Sequence, residues 1–339
     1  MLDRLVTRST KGTLPITPVE AGRVEAWARR QPARVRHWVA STGFRAEPGT
    51  LSLVPGDDGA LARVLLGVPA KGTDAASGPW RFAGLPGALP EGRYAFEGLR
   101  KADADDAALG WALACYDFDR YRGKKAASGA ATLVWPEGAD RREVTRLAAG
   151  TKVVRDLINT PAGDLGPAEL ASAARDVGRK FGARTTVIRG DQLLAKGYPA
   201  VHAVGRAASR PPCLVDLRWG EADAPKLTLV GKGVVFDSGG LDLKPSGGML
   251  LMKKDMGGAA HVLGIAHAIM DAGLPVRLRV LVPAVENAVS GNAFRPLDVL
   301  ETRKGLTVEV GNTDAEGRLI LCDALAEADA EEPELLMDF

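Results

Sequence analysis

Residues 230–245 read VGKGVVFDSGGLDLKP and follow the apolar run of Leu227, Leu229 and Val230. Charge gathered just past a buried strand is characteristic of α/β domains, where functional groups collect at the carboxyl ends of strands and loops bring distant side chains together. Lys232 is predicted at such a strand end. Asp237 follows across a turn containing SGG, whose glycines let the backbone approach a ligand closely. Lys244 comes next, and Asp255 stands before GGAA, at the expected start of a helix.

The pattern around this stretch is that of an alternating sheet. From residue 165 onward, helical and strand periodicities alternate as expected of an α/β domain. GPAELASAARDVGRKF predicts a helix, RTTVIRG a strand and DQLLAKG a short helix; AVHAVG, CLVDLRW and KLTLVGK are read as strands. GGAAHVLGIAHAIMDAG predicts a helix, VRLRVLVPAV a strand, LILCDALAEADAE a helix, and EEPELLMDF a loop entering a further buried strand. Upstream, residues 1–140 are rich in Gly, Pro and Ala, with the strand-like pieces LSLV, ARVLLGV and ATLVW. A helix is expected over about 104–120, where acidic residues favour its N-terminus, and a longer one from about 140 to Asn159-Thr160-Pro161. The chain therefore divides into an N-terminal α/β domain (1–140), a linker helix (141–162) and a larger α/β domain (163–339).

Composition excludes several classes. The 339 residues are 46% hydrophobic and 25% charged, with a net charge of +2, and no apolar run is long enough for a membrane span. Neither nucleic acid nor membrane is favoured as a partner. Residues 1–50 do carry nine Lys/Arg against four Asp/Glu, but most lie in AGRVEAWARRQPARVRHW, read as the solvated face of one amphipathic helix. Cys115, Cys213 and Cys322 are widely spaced and odd in number, so they form neither a disulfide framework nor a metal knuckle and are expected as buried free thiols. The N-terminus MLDRLVTRSTKG lacks the apolar core of a signal peptide, so a reducing cytoplasm is the expected location. His37, His202, His261 and His267 lack the spacing of a shared helix face and are not expected as ligands. GKG and GDQLLAKG do not complete a phosphate-binding loop.

A second charged cluster is EVGNTDAEGRL, residues 309–319. If NTDAEGR is extended, Asn312, Asp314, Glu316 and Arg318 alternate onto one side; the bland alternative is a polar loop in which Glu316 and Arg318 form a surface ion pair. Together the two clusters set Asp237, Asp255, Asp314 and Glu316 against Lys232, Lys244 and Arg318. Crowded carboxylates repel and are driven toward protonation unless cations neutralise them. Two divalent ions about 3.5–4 Å apart, sharing bridging carboxylates, are a recurring hydrolytic device that would do so. A lysine joins such a site only as the neutral amine.

VGKGVVFDSGG, LKPSGGM, MKKDMGGAA and NTDAEGRL resemble, in order and spacing, the signature of the leucine aminopeptidase family of dinuclear metallo-exopeptidases. The likeness runs over residues 150–339; the N-terminal 140 carry no comparable motif. It implies a smaller N-terminal α/β domain joined by a helix to a larger catalytic domain with a mixed sheet, assembled as a hexamer. It also implies two divalent metals, Mn or Zn, with Lys232, Asp237, Asp255 and Glu316 holding one and Asp237, Asp314 and Glu316 the other. A water or hydroxide between them would be the nucleophile, and one metal would bind the α-amino group of the substrate, restricting cleavage to the N-terminus. Lys244 would polarise the scissile carbonyl, Arg318 would hold a bicarbonate that relays protons, and Met252 and Asn312 would line the side-chain pocket.

The implied substrates are peptides with leucine or another large apolar residue at the N-terminus. A dinuclear dipeptidase and a non-catalytic, DNA-binding relative are the alternative readings. Asp242, where the family often has a small polar residue, and Lys254, which replaces an apolar or aromatic one, are departures expected to have minor effects. Relatives continue past LLMDF, so the resemblance implies that the C-terminal part of the catalytic sheet is missing. A chain ending at Phe339 is expected to bind metal but to be poorly folded or inactive, with Leu335, Leu336 and Met337 short of sheet neighbours.

Overall fold

The computed structural model describes residues 1–70, 78–123 and 130–339, which form two compact units, Met1–Ala148 and Ala149–Phe339. In the first unit, β1 (Leu5–Val6), β2 (Leu14–Glu20), β3 (Leu51–Pro55), β4 (Leu61–Val68), β5 (Gly92–Phe96) and β6 (Ala131–Val134) form a sheet in the order β1-β6-β5-β2-β4-β3. All its pairs are parallel except β3 with β4. Its helices are α1 (Val24–Ala28), α2 (Ala33–Thr42), α3 (Leu85–Ala88) and α4 (Ala104–Ala114). The single amphipathic helix expected near the N-terminus is thus two, because Pro32 cannot occupy a helix interior and instead stands at the N-cap of α2. Helix α4 ends at Ala114 rather than near 120; Asp117 and Asp119 would lie at the negative end of the helix dipole.

Helix α5 (Arg141–Asn159) carries the chain from the first unit into the second. The second unit comprises α6 (Pro167–Lys180), β7 (Arg184–Arg189), α7 (Gln192–Ala195), α8 (Pro199–Gly205), β8 (Cys213–Trp219), β9 (Lys226–Val230) and β10 (Gly233–Asp237). The chain continues through α9 (Ser246–Met249), α10 (Gly257–Ala272), β11 (Arg277–Asn287), β12 (Val299–Glu301), β13 (Thr307–Glu309), α11 (Glu316–Asp329) and β14 (Leu335–Asp338). The mixed sheet runs β14-β9-β11-β8-β7, with β10 also on β11. Side chains of β11 alternate between two cores. Val280, Val282 and Ala284 meet Leu170, Ala174, Val262 and Leu263 of α6 and α10, while Leu281 and Val285 meet Val201, Val204, Ile320 and Ala324 of α8 and α11. On β14, Leu336 and Met337 split between the same two cores while Leu335 is exposed.

Two local predictions are corrected. AVHAVG is helix α8, not a strand: its residues are almost all buried, which erases any periodic signal, and Pro199 is pre-set for a helix start. The carboxylate of Asp323, fully buried on α11, accepts from the N–H groups of Ala200 (2.8 Å), Val201 (3.2 Å) and Arg303 (2.8 Å), capping α8 from another element. The second correction concerns the opening stretch. GVVFD is itself a strand, β10, so Lys232 lies in a break between two strands that both run parallel to β11. All three cysteines are free, but only Cys213 is fully buried. No helix among the described residues is long and apolar enough to cross a membrane.

Removing the Asp323 carboxylate strands three backbone donors, each worth about 1–3 kcal/mol when left unmade. Asp323→Ala is therefore expected to destabilise the chain by at least about 3 kcal/mol, seen as a lowered urea midpoint, with Asp323→Asn losing less. Equal midpoints for wild type and Asp323→Ala would contradict the capping role.

Candidate metal centre

The break at residues 231–232 places the first charged group. The Gly231 N–H still donates to the Leu281 carbonyl of β11 (3.0 Å) and pairing resumes at Gly233, but in between the Lys232 backbone turns to other partners. The Lys232 N–H donates to the Phe339 carbonyl (2.8 Å), and its carbonyl accepts from the N–H of Ala259 on α10 (2.8 Å). Gly258 makes room for this: a Cβ there would lie 2.2 Å from the Phe339 oxygen and 2.8 Å from the Lys232 nitrogen. The Lys232 ammonium then lies 2.9 Å from Asp255 Oδ2 and 3.0 Å from Glu316 Oε1.

The loop after β10 carries the second cation. Ser238 is anchored to the Asn287 carbonyl by its N–H (3.1 Å) and hydroxyl (2.9 Å), and its own carbonyl accepts from the Lys244 N–H (2.9 Å), closing the loop. Gly239 and Gly240 have φ of +88° and +66°, a left-handed conformation costly for residues with a Cβ. The loop returns the Lys244 ammonium to 2.9 Å from Asp237 Oδ2 and into contact with Asp314.

NTDAEGR is not extended. Asn312 Oδ1 accepts from the Asp314 N–H (2.7 Å), a 3₁₀ turn covers Thr313–Ala315, and α11 begins at Glu316. Two helical residues apart, Glu316 and Arg318 face different sides: Glu316 is fully buried and Arg318 exposed, so neither the expected alternation nor a Glu316–Arg318 ion pair occurs. Met252 is half-buried in the 3₁₀ turn that leads to Asp255, and Lys254 beside it is exposed. Asp242 exchanges two hydrogen bonds with Thr313.

Four carboxylates thus face two ammonium groups. Oxygens of Asp237, Asp255 and Glu316 lie within 4.8 Å of one another. Burial raises the carboxyls of Asp255 and Glu316 above the usual range, with Lys232 opposing the rise in both and Asp237 adding to it. Burial acts against the charge on Lys232 and Lys244, but their bonds to these carboxylates outweigh it and leave both ammonium groups raised. Neither oxygen of Glu316 has a well-aligned hydrogen-bond donor. A buried carboxylate so poorly satisfied, in a cluster whose carboxylates outnumber its ammonium groups by two, fits a divalent cation such as Mn²⁺. The histidines lie elsewhere: His261 bonds the Gly257 carbonyl of its own helix, and His267 Nε2 lies 2.9 Å from Lys180 Nζ.

Two residues of the centre escaped the sequence reading. Asn287 Nδ2 donates to Asp237 Oδ1 (2.8 Å) and the Thr313 carbonyl (3.1 Å), and Thr313, fully buried, ties the two charged clusters together. Asn287 carries a usable signal, being a polar residue at the carboxyl end of an apolar strand, the position that marked Lys232 and Asp237.

Fold and centre define a mixed α/β protein with a carboxylate-rich candidate cation site near the carboxyl ends of its strands. Residues 152–339 match the family model described as the cytosol aminopeptidase family, catalytic domain, and the chain belongs to that family. Residues 14–136 match the M17 aminopeptidase N-terminal domain, so the first unit also carries family character although it has no compact motif. A probable cytosol aminopeptidase from Xanthomonas axonopodis pv. citri is 48% identical over 193 residues, 56% of this chain and 39% of that protein. The match thus spans about two fifths of that relative's length. The solved cytosol aminopeptidase of Coxiella burnetii has a TM-score of 0.91 at 47% identity, covering 99% of this chain and 72% of that one. The bottromycin maturation enzyme BotP, solved in complex with Mn, has a TM-score of 0.80 at 32% identity, covering 94% and 69%.

At Gly317 a Cβ would lie 2.6 Å from Lys232 Cε. Gly317→Ala is expected to push the flexible Lys232 side chain aside and weaken Mn²⁺ binding about 10–100-fold, the range seen for groups that support metal ligands, without lowering the melting temperature. Calorimetric titration with Mn²⁺ checks this; unchanged affinity would contradict the packing argument.

Proposed function

We infer that this chain contains the catalytic centre of a metal-dependent aminopeptidase that releases N-terminal residues from peptides, large apolar ones preferred. The observation that carries the reading is the convergence of Asp237, Asp255 and Glu316 on one point, in a chain whose family relatives are named cytosol aminopeptidases. Asp237, Asp255 and Glu316 would hold one ion, joined by Lys232 once its ammonium has released a proton to solvent, and Asp237, Asp314 and Glu316 a second. When bound, such ions act as Lewis acids and lower the pKa of water at the site.

The chain's own groups supply the rest. The free α-amino group of the peptide, as the neutral amine, would bind at the metal centre, which restricts cleavage to the N-terminal bond. Lys244, kept protonated by Asp237 and Asp314, polarises the scissile carbonyl and stabilises the oxyanion as charge develops. Arg318, exposed in the first turn of α11, offers a planar fork suited to bicarbonate, which would pass protons. Met252 and Asn312 border the space for the substrate side chain. The leucine preference is supported by the likeness to solved leucyl aminopeptidases, for example one from Trypanosoma brucei in complex with bestatin at 28% identity and a TM-score of 0.79.

Hydrolysis of a leucine anilide with added Mn²⁺ or Zn²⁺ is expected to stop on chelation. Glu316→Gln is expected to lower kcat/KM by more than the roughly hundredfold upper range of supporting residues. Tripeptides and longer peptides should be shortened stepwise from the N-terminus, which separates the reading from a dipeptidase. Activity that survives both chelation and Glu316→Gln would overturn it.

A further inference from the structure

The two charged clusters lie about seventy residues apart in sequence, and besides their ion pairs they are joined by hydrogen bonds centred on Asp242 and Thr313. The contact is reciprocal. The Asp242 N–H donates to Thr313 Oγ1 (2.8 Å), and the Thr313 N–H donates to Asp242 Oδ2 (2.7 Å). The Thr313 hydroxyl lies 2.7 Å from the Gly239 carbonyl and 3.1 Å from Asp242 Oδ2, either of which accepts its proton. Its acceptor and donor capacities are therefore both used, in a side chain that is fully buried. Gly240 lets the segments close up: a Cβ there would stand 2.9 Å from Asn287 Oδ1 and 3.0 Å from Thr313 Oγ1.

The pair sits where a small displacement matters. Asp242 is two residues from Lys244, and Thr313 is one residue from Asp314 and three from Glu316. The sheet fixes Asp237 at the end of β10 and Asn287 at the end of β11, but the tip of the loop that carries Lys244 has no strand to hold it. We propose that Asp242 and Thr313 act as a positioning lock that holds the Lys244 loop against the start of α11 and so sets Lys244 relative to Asp314 and Glu316. The lock rests on the aminopeptidase reading for its functional meaning and touches neither substrate nor ion. Because the Lys244–Asp314 contact crosses the same seam, loosening it shifts the carbonyl-polarising ammonium and one carboxylate together.

Thr313→Val keeps the shape of the side chain and removes its hydroxyl, Thr313→Ser restores the hydroxyl, and Asp242→Ala removes the carboxylate. With leucine anilide at saturating Mn²⁺, Thr313→Val and Asp242→Ala are expected to lower kcat about 10–100-fold with KM changed less than about twofold, and Thr313→Ser to recover most of the loss. Calorimetric Mn²⁺ titration gives the readout independent of turnover: both damaging variants should bind more weakly than wild type while retaining a cooperative thermal melt. Wild-type kcat and Mn²⁺ affinity in Thr313→Val would overturn the lock alone. Failure of Thr313→Ser to recover what Thr313→Val loses would also overturn it, since the hydroxyl would then not be the operative group. A wild-type chain that neither binds Mn²⁺ nor hydrolyses the anilide would overturn the aminopeptidase reading, and the lock's function with it.

Discussion

Like charge held at close quarters is the constraint on which the second unit depends. Carboxylate oxygens within 4.8 Å of one another repel by at least about 3 kcal/mol per pair at an effective dielectric near 20. Asp237 and Glu316 are almost wholly buried, so water cannot screen the repulsion. Lys232 and Lys244 offset it in part, each ammonium lying between two carboxylates. Four negative charges against two positive ones leave a centre that favours a further cation over any neutral occupant. Function is thus written in an electrostatic deficit that the rest of the fold maintains.

The fold maintains it by interrupting regular structure where charge must enter. The strand alongside β11 breaks at Lys232 instead of continuing, and its freed backbone groups are taken up by Phe339 and Ala259. Gly258 and Gly317 give space to Lys232, and Gly239 and Gly240 give the Lys244 loop its reversal. A neutral layer holds these pieces in register. Asn287 spans Asp237 and the Thr313 backbone, and Thr313 with Asp242 joins the two clusters. Placing polar groups at strand ends and bracing them with bonds from neighbouring elements is what allows a rigid sheet to hold a site to within tenths of an ångström.

The charged residues were legible in the sequence because ionised side chains at the end of an apolar strand have no structural reason to be there. Lys232, Asp237, Asp255 and Glu316 do come together, as the resemblance to the aminopeptidase signature implied. Thr313 was not legible, since a neutral hydroxyl acquires its role only from a partner some seventy residues away. Helix α8 was misread for the same kind of reason: a short segment buried on all sides has no periodicity, and its cap, Asp323, comes from another helix. The geometry of NTDAEGR turned on Asn312, whose side chain starts a helix where alternation suggested a strand.

Anomalous diffraction from crystals equilibrated with Mn²⁺ tests the central claim most directly. The account predicts anomalous density bounded by Asp237, Asp255 and Glu316, with Lys232 Nζ, now a neutral amine, drawn out of its ion pair with Asp255. Density confined to other surface carboxylates, with Lys232 still bridging Asp255 and Glu316 at saturating Mn²⁺, would contradict it.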